Sequence, residues 1–260
     1  YRQKLKSLGY VKSMRASLSD DAIHNTDMKP WSSLNGRPTG GSKHHKVNIL
    51  QSQKIPAYMD CLVARQGFNL IEMDYNSLEP TILAETSRDP SYLNIYANPD
   101  YPSDAYIEFM NGTDMWGDDV KALGYPALDS VTKIKKQMKK QRSMCKPIFL
   151  GLGFGMGADK LVIQLKIDGF DMTREEVDSI VKSYWRIYPV LKKYQDKLQG
   201  IIRNQGYYLN ALGVPRCLND NTIKDVLNSQ SQGSGNMIQM KHSSEVNRLR
   251  KERGVEMYPI

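Results

Sequence analysis

The sequence predicts a mixed α+β fold in which a small antiparallel sheet is divided around a helical insertion, and three observations predict it. The apolar run Asn69–Met73 (NLIEM) reads as a buried strand that ends on Asp74. From Asp104 to near Gly206 the apolar spacing is mainly helical. After Gly206 the pairs Tyr207-Tyr208 and Leu209-Asn210 suggest a short hairpin. The expected division is therefore an N-terminal part over 1–103, a helical part over 104–205 and a returning part over 206–260.

Taken in order, the first thirty residues carry a basic helical segment and then a polar stretch. Gly36–Lys46 (GRPTGGSKHHK) is loop-like, rich in glycine and basic residues. Ser77 opens a helical pattern (SLEPTILAETS) that tolerates Pro80 only if Pro80 falls in the first turn, where its missing N–H costs nothing. Gly112, Gly117 and the stretch Gly124–Pro126 punctuate the helical region. Thr173 followed by Glu176 is a capping box that opens a long helix, broken near Pro189. Asp225–Met240 is helical in pattern, although Gly233 and Gly235 weaken it.

The chain has 260 residues, enough for a sizeable core, and a net charge of +8 from 36 Lys and Arg against 28 Asp and Glu. That surplus suits a protein that handles a polyanion, and it equally suits plain solubility. Cys61, Cys145 and Cys217 are odd in number and widely spaced, which points away from a disulfide framework or a zinc site and toward a reducing, cytoplasmic setting. No apolar run approaches the ~20 residues needed to span a bilayer, and the basic start lacks the apolar stretch of a signal peptide.

The most informative segment is Lys133–Gly157 (KIKKQMKKQRSMCKPIFLGLGFGMG). Read as one helix, it aligns Lys135, Lys139, Arg142 and Lys146 on one face, with Ile134, Met138, Cys145 and Leu152 on another. Like charges at this spacing cost about 0.2–0.5 kcal/mol per pair, so the stripe calls for an anion. A solvated surface face is the plainer reading of any basic helix. Gly151, Gly153, Gly155 and Gly157 alternate behind it, and each glycine inside a helix costs roughly 0.8–1 kcal/mol relative to alanine. Close approach by another group, or a pivot, would account for them.

Arg142, Lys146, Gly151 and Gly155 fit the pattern R-x-x-x-K-x-x-x-[aromatic]-G-x-x-Y-G, which resembles the fingers-helix motif of family A DNA polymerases, the relatives of bacterial polymerase I. Asp74-Tyr75-Asn76-Ser77-Leu78-Glu79 resembles the first palm motif of that family, D-Y-S-Q-I-E. Arg37 and the ILQSQKIP stretch resemble the segment that precedes it; SYWRIYPVLKKY resembles its Y-F-x-x-Y-P-x-x-x-x-Y helix. Asn228 with Gln232-Gly233-Ser234 resembles N-x-x-x-Q-G-[ST]. The alternating glycines are more similar to phage members, whose setting is an infected bacterial host.

The resemblance implies a polymerase palm with a partial antiparallel sheet plus helical fingers, and nucleotidyl transfer from a dNTP to a primer 3′-hydroxyl with two Mg2+ ions, for which Mn2+ can substitute. It makes Asp74 a catalytic metal ligand, helped by the backbone carbonyl of Tyr75. It gives Arg142 and Lys146 to the triphosphate, with Lys146 the proton donor to the leaving pyrophosphate. Leu150 and Phe154 lie against the base and sugar, Glu79 is the steric gate against a ribose 2′-hydroxyl, and Arg37, Asn228 and Gln232 contact primer-template DNA. Asp74 taken alone reads better as a loop aspartate that caps the following helix.

Three residues depart from that pattern. Leu150 stands where an aromatic is usual, Phe154 lacks the tyrosine hydroxyl that could meet Glu79, and Pro147 disfavours helical geometry at Lys146. The His-Asp-Glu motif of the family, with its second metal carboxylate, is not in the sequence, and a second polypeptide or further sequence is expected to supply it. Two competing readings are a non-catalytic DNA-binding or replisome scaffold of polymerase ancestry, and a single-subunit RNA polymerase, which Glu79 opposes.

Overall fold

The computed structural model describes residues 63–64, 66–71, 73–96, 104–219 and 222–256, together with 28–29, 33 and 39–40. The chain divides into two compact units, Tyr1–Asn76 and Ser77–Ile260. In the first unit, β1 (Met28–Lys29) pairs antiparallel with β2 (Thr39–Gly40), so part of the stretch expected as loop over Gly36–Lys46 is a bridge of two short strands.

The expected strand over Asn69–Met73 is not seen among the described residues, 69–71 and 73, which carry no strand assignment. Its described residues have no ladder partner among the described residues, and Leu70, Ile71 and Met73 are exposed by 46%, 69% and 73%. A strand cannot satisfy its own N–H and C=O groups, so an apolar run alone does not make one; it needs a partner. Asp74 is accordingly exposed rather than fixed at the end of a buried strand.

The second unit is helical with one hairpin. Helix α1 (Leu78–Ser87) takes Pro80 into its first turn, as the sequence requires, and α2 (Pro90–Tyr96) follows. The middle region is α3 (Ala105–Gly112), α4 (Gly117–Ala122), α5 (Leu128–Gln137), α6 (Lys139–Gly153), α7 (Ala158–Ile167), α8 (Arg174–Ile187) and α9 (Pro189–Gln205). Both halves of the Thr173–Glu176 capping box are present, and Pro189 opens α9 as expected. The hairpin is β3 (Tyr207–Leu209) with β4 (Pro215–Cys217), in register Tyr207 to Cys217.

The last helix, α10 (Val226–Glu252), runs straight through Gly233 and Gly235, which were expected to weaken it. Gly235 lies against α1: a Cβ there would sit 3.3 Å from Leu78 and 3.6 Å from Ile82. Close packing of the two helices therefore offsets the poor helix propensity. No described helix is long and apolar enough to cross a membrane.

An aromatic cluster fills the core. Phe149 of α6 stacks on Tyr92 at 5.3 Å and meets Tyr106 edge-on at 5.9 Å, Tyr184 at 6.0 Å and Tyr188 at 5.9 Å. The Tyr92 and Tyr184 hydroxyls share a hydrogen bond of 2.5 Å. Burial pushes both hydroxyls well above the usual phenol range, so they stay protonated. Asp89, fully buried, holds two helix starts at once. Its Oδ1 accepts from the N–H groups of Ser91 and Tyr92, and its Oδ2 from those of Val190 and Leu191 at 3.1 and 3.0 Å.

Candidate nucleotide-binding site on the fingers helix

The basic stripe is divided. Met138 (φ −108°, ψ 32°) separates α5 from α6, which leaves Lys135 on α5 and Lys139, Arg142 and Lys146 on α6. Met138 is 5% exposed, and burying it at the corner outweighs the weak preference of a lysine-rich run to continue as one helix. The apolar face survives the break: Ile134, Met138, Cys145 and Leu152 are all buried. Pro147 lies inside α6, which continues past it to Gly153.

The anion that the stripe calls for comes from the chain itself. Asp104, with its side chain 5% exposed, accepts a forked contact from Arg142, with Nε at 3.0 Å and Nη2 at 2.8 Å from Oδ2, while Lys135 Nζ lies 3.2 Å from the same oxygen. Oδ1 accepts from the N–H groups of Tyr106 and Ile107 and so caps α3. The Arg142 guanidinium also lies over the Tyr106 ring at 5.2 Å. Burial raises the Tyr106 phenol above its ordinary range, the Arg142 cation pulls it down, and the Asp104 charge pushes it up.

Farther along α6, Lys146 is exposed and has no ion pair among the described residues, while Leu150 and Phe154 are half-buried. Arg142, Lys146, Leu150 and Phe154 follow one another at steps of four and form a ridge along the helix, with Phe154 at its C-cap. The alternating glycines differ in role: a Cβ on Gly153 would meet the hydroxyls of Tyr184 and Tyr92, each at 3.0 Å, and Leu83 of α1 at 3.8 Å, Gly155 has φ +84°, and a Cβ on Gly157 would meet nothing within 4 Å among the described residues. Burial pushes the Cys145 thiol up, which keeps it an inert core group.

Helix α1 collects the remaining residues of this unit. Glu79 precedes Leu83 by one turn, so the close approach of Gly153 to Leu83 brings the end of α6 to the side of α1 that carries Glu79. On α10, Asn228, Gln232 and Gly235 fall at i, i+4 and i+7, and Gly235 is the residue that faces Leu78 and Ile82. Asn228 and Gln232 are both half-buried on that stripe. Arg37 lies outside the described residues. Asp74 and Tyr75 belong to the first unit, where Asp74 is exposed and Tyr75 half-buried. Among the described residues no three His, Cys, Asp or Glu side chains cluster as a metal site.

Sequence reasoning missed Asp104 and Tyr106. An aspartate before a helical run is a legible cap signal, but its pairing with an arginine far along the chain is not.

The chain is 27% identical over 238 residues to DNA polymerase I of Helicobacter pylori, across 85% of this chain and 23% of the relative. It is 24% identical over 236 residues to DNA polymerase I of Aquifex aeolicus, across 90% of this chain and 36% of the relative. The DNA polymerase of Escherichia phage T5 is 22% identical over 222 residues, 81% of this chain and 25% of its own length. The chain thus spans roughly a quarter to a third of the curated relatives it matches. Among solved structures, the POL domain of Pol1 from M. smegmatis, in complex with DNA primer-template and dNTP, matches with a TM-score of 0.71 and 21% identity. That match covers 97% of this chain and 42% of the other, and it supports the α+β polymerase fold. The model of DNA polymerase family A matches residues 3–241, and the chain belongs to that family.

Proposed function

We propose that the chain is the palm and fingers part of a template-directed DNA polymerase that adds deoxynucleotides to a primer 3′-hydroxyl. The observation that carries the reading is the ridge Arg142, Lys146, Leu150 and Phe154 on α6, whose C-terminal end at Gly153 approaches Leu83 of α1, one turn beyond Glu79. A cationic start and an apolar end on one ridge suit a nucleoside triphosphate, with phosphates at Arg142 and Lys146 and base and sugar at Leu150 and Phe154. Glu79, beside the sugar end, restricts the 2′ position. Leu150 gives weaker stacking than an aromatic residue, and Phe154 offers Glu79 no hydroxyl.

In the reaction the primer 3′-oxygen attacks the α-phosphorus, and the bond to the pyrophosphate oxygen breaks. In this reading Lys146 delivers a proton to that leaving oxygen, and Arg142 holds charge that moves onto it. The Asp74 carboxylate and the Tyr75 carbonyl are hard oxygen donors that suit Mg2+ or Mn2+, which take one or two carboxylates together with substrate phosphates. When bound, a pair of such ions supplies charge neutralisation at the attacking and leaving oxygens. Asp74 is too exposed to form that site alone, so in this proposal a His-Asp-Glu segment, from further sequence or a second polypeptide, completes it. Arg37, Asn228 and Gln232 contact primer-template DNA, and the subdomain division remains 1–103, 104–205 and 206–260.

Primer extension tests this reading, with the chain supplemented by a His-Asp-Glu palm segment from a relative. Asp74→Ala should abolish extension while leaving the melting temperature unchanged, because the side chain is exposed. Lys146→Ala should lower kcat by about 10²-fold or more. Extension that survives Asp74→Ala would defeat the proposal. DNA binding without extension under any supplement would favour the non-catalytic scaffold.

A further inference from the structure

We infer that Asp104 is a positioning residue for the incoming triphosphate, acting through Arg142. The inference rests on the triphosphate role proposed for Arg142 above. An arginine side chain bends at several bonds, and a phosphate ligand gains little from a cation that must first be ordered. Here the order is built in. Asp104 takes the Nε and Nη2 edge of the guanidinium, at 3.0 and 2.8 Å, and the Tyr106 ring lies against its face at 5.2 Å. An edge contact and a face contact together leave the planar group one orientation.

The carboxylate does not exhaust the arginine. Guanidinium carries five N–H donors, and the fork uses the Nε–H and one Nη2–H. Both Nη1 donors and the second Nη2–H have no partner among the described residues and remain for phosphate oxygens, so triphosphate can bind without displacing Asp104.

Nor does it cancel the charge. Lys135 also pairs with Asp104, so one buried carboxylate faces two cations and the junction keeps a net positive charge, with Lys146 one turn beyond Arg142. Asp104 is itself rigid, because Oδ1 accepts from the N–H groups of Tyr106 and Ile107 at the start of α3. Its position is thus set by a helix start, and it passes that precision to Arg142.

A double-mutant cycle on the full chain tests this, with binding of dTTP and of inorganic triphosphate read by calorimetry. Asp104→Asn retains a side chain able to cap α3 and removes the charge that holds the fork; it should weaken binding about tenfold. In an Arg142→Lys background, where there is no fork to hold, the same substitution should change binding less than about twofold. An equal loss in both backgrounds, or no loss in either, overturns the inference and leaves the proposed function standing. Wild-type chain that binds neither probe overturns the proposed function and this inference with it. A second measurement needs no Asp104 variant: the Arg142 Nε–H resonance should stay hydrogen-bonded on adding triphosphate while the Nη1 protons shift. Release of Nε on binding would mean that Asp104 competes with the ligand, which contradicts a positioning role.

Discussion

Two buried aspartates, one at the junction of α2 with α9 and one at the junction of α3 with α6, use the same chemistry for different ends. Asp89 gives both oxygens to backbone N–H groups, two at the start of α2 and two at the start of α9. Asp104 gives one oxygen to the start of α3 and the other mainly to side-chain cations, Arg142 and Lys135. The first ties helices together and has no capacity left over. The second orients a cation that still has donors to spend on a ligand. Burial alone does not separate the two, since both are nearly inaccessible; what a buried carboxylate accepts from decides whether it serves the fold or the site.

Phe149 links the two junctions, stacking on Tyr92 beside Asp89 and meeting Tyr106 beside Asp104. It is 1% exposed, so Phe149→Ala should cost roughly 3–5 kcal/mol, read by urea unfolding. The loss should also loosen Arg142, because Tyr106 would lose its edge contact. Full stability in that variant would mean that the junctions are independent.

The helical region was legible in the sequence because helices close their own hydrogen bonds and show their buried face in their own spacing. The Thr173–Glu176 box, the break at Pro189 and the tolerance of Pro80 all rest on neighbours within a few residues, and each is found where expected. The Asn69–Met73 strand is not seen among the described residues, and a strand depends on partners elsewhere, which an apolar run does not reveal. The basic stripe was half legible. Its need for an anion is visible in the charges, but the Asp104 that meets it is 38 residues from Arg142. The Gly235 penalty is local and visible, whereas the contacts with Leu78 and Ile82 that offset it are not.

A smaller effect separates the two aspartates directly. Asp89→Ala uncaps α2 and α9 together and should cost about 2–4 kcal/mol, from two caps of about 1–2 kcal/mol each. Asp104→Asn should cost less, since it retains a capping side chain and Arg142, already 32% exposed, can turn its charge to solvent. Thermal melts of the two variants side by side check this. Equal losses would remove the distinction between a structural and a positioning carboxylate.

The smallest effect belongs to a third aspartate that is not buried. Asp114 accepts from Arg186 at 2.8 Å, and that hydrogen bond, with the arginine charge behind it, holds the carboxyl below the usual range. A depressed folded pKa means that the pair contributes only above the unfolded pKa of about 3.9, and the contribution is lost as pH falls through the folded value. At neutral pH Asp114→Asn should therefore lower the melting temperature slightly, less so at high salt because both side chains face solvent. As pH falls through the folded pKa of Asp114 the melting temperatures of variant and wild type should converge, since protonation removes the charge. A carboxyl titration whose midpoint does not rise on Arg186→Gln would show that the pair is not formed. The same carboxylate–arginine chemistry is screened by water at Asp114 and sheltered at Asp104, so only the sheltered pair can set the aim of an arginine.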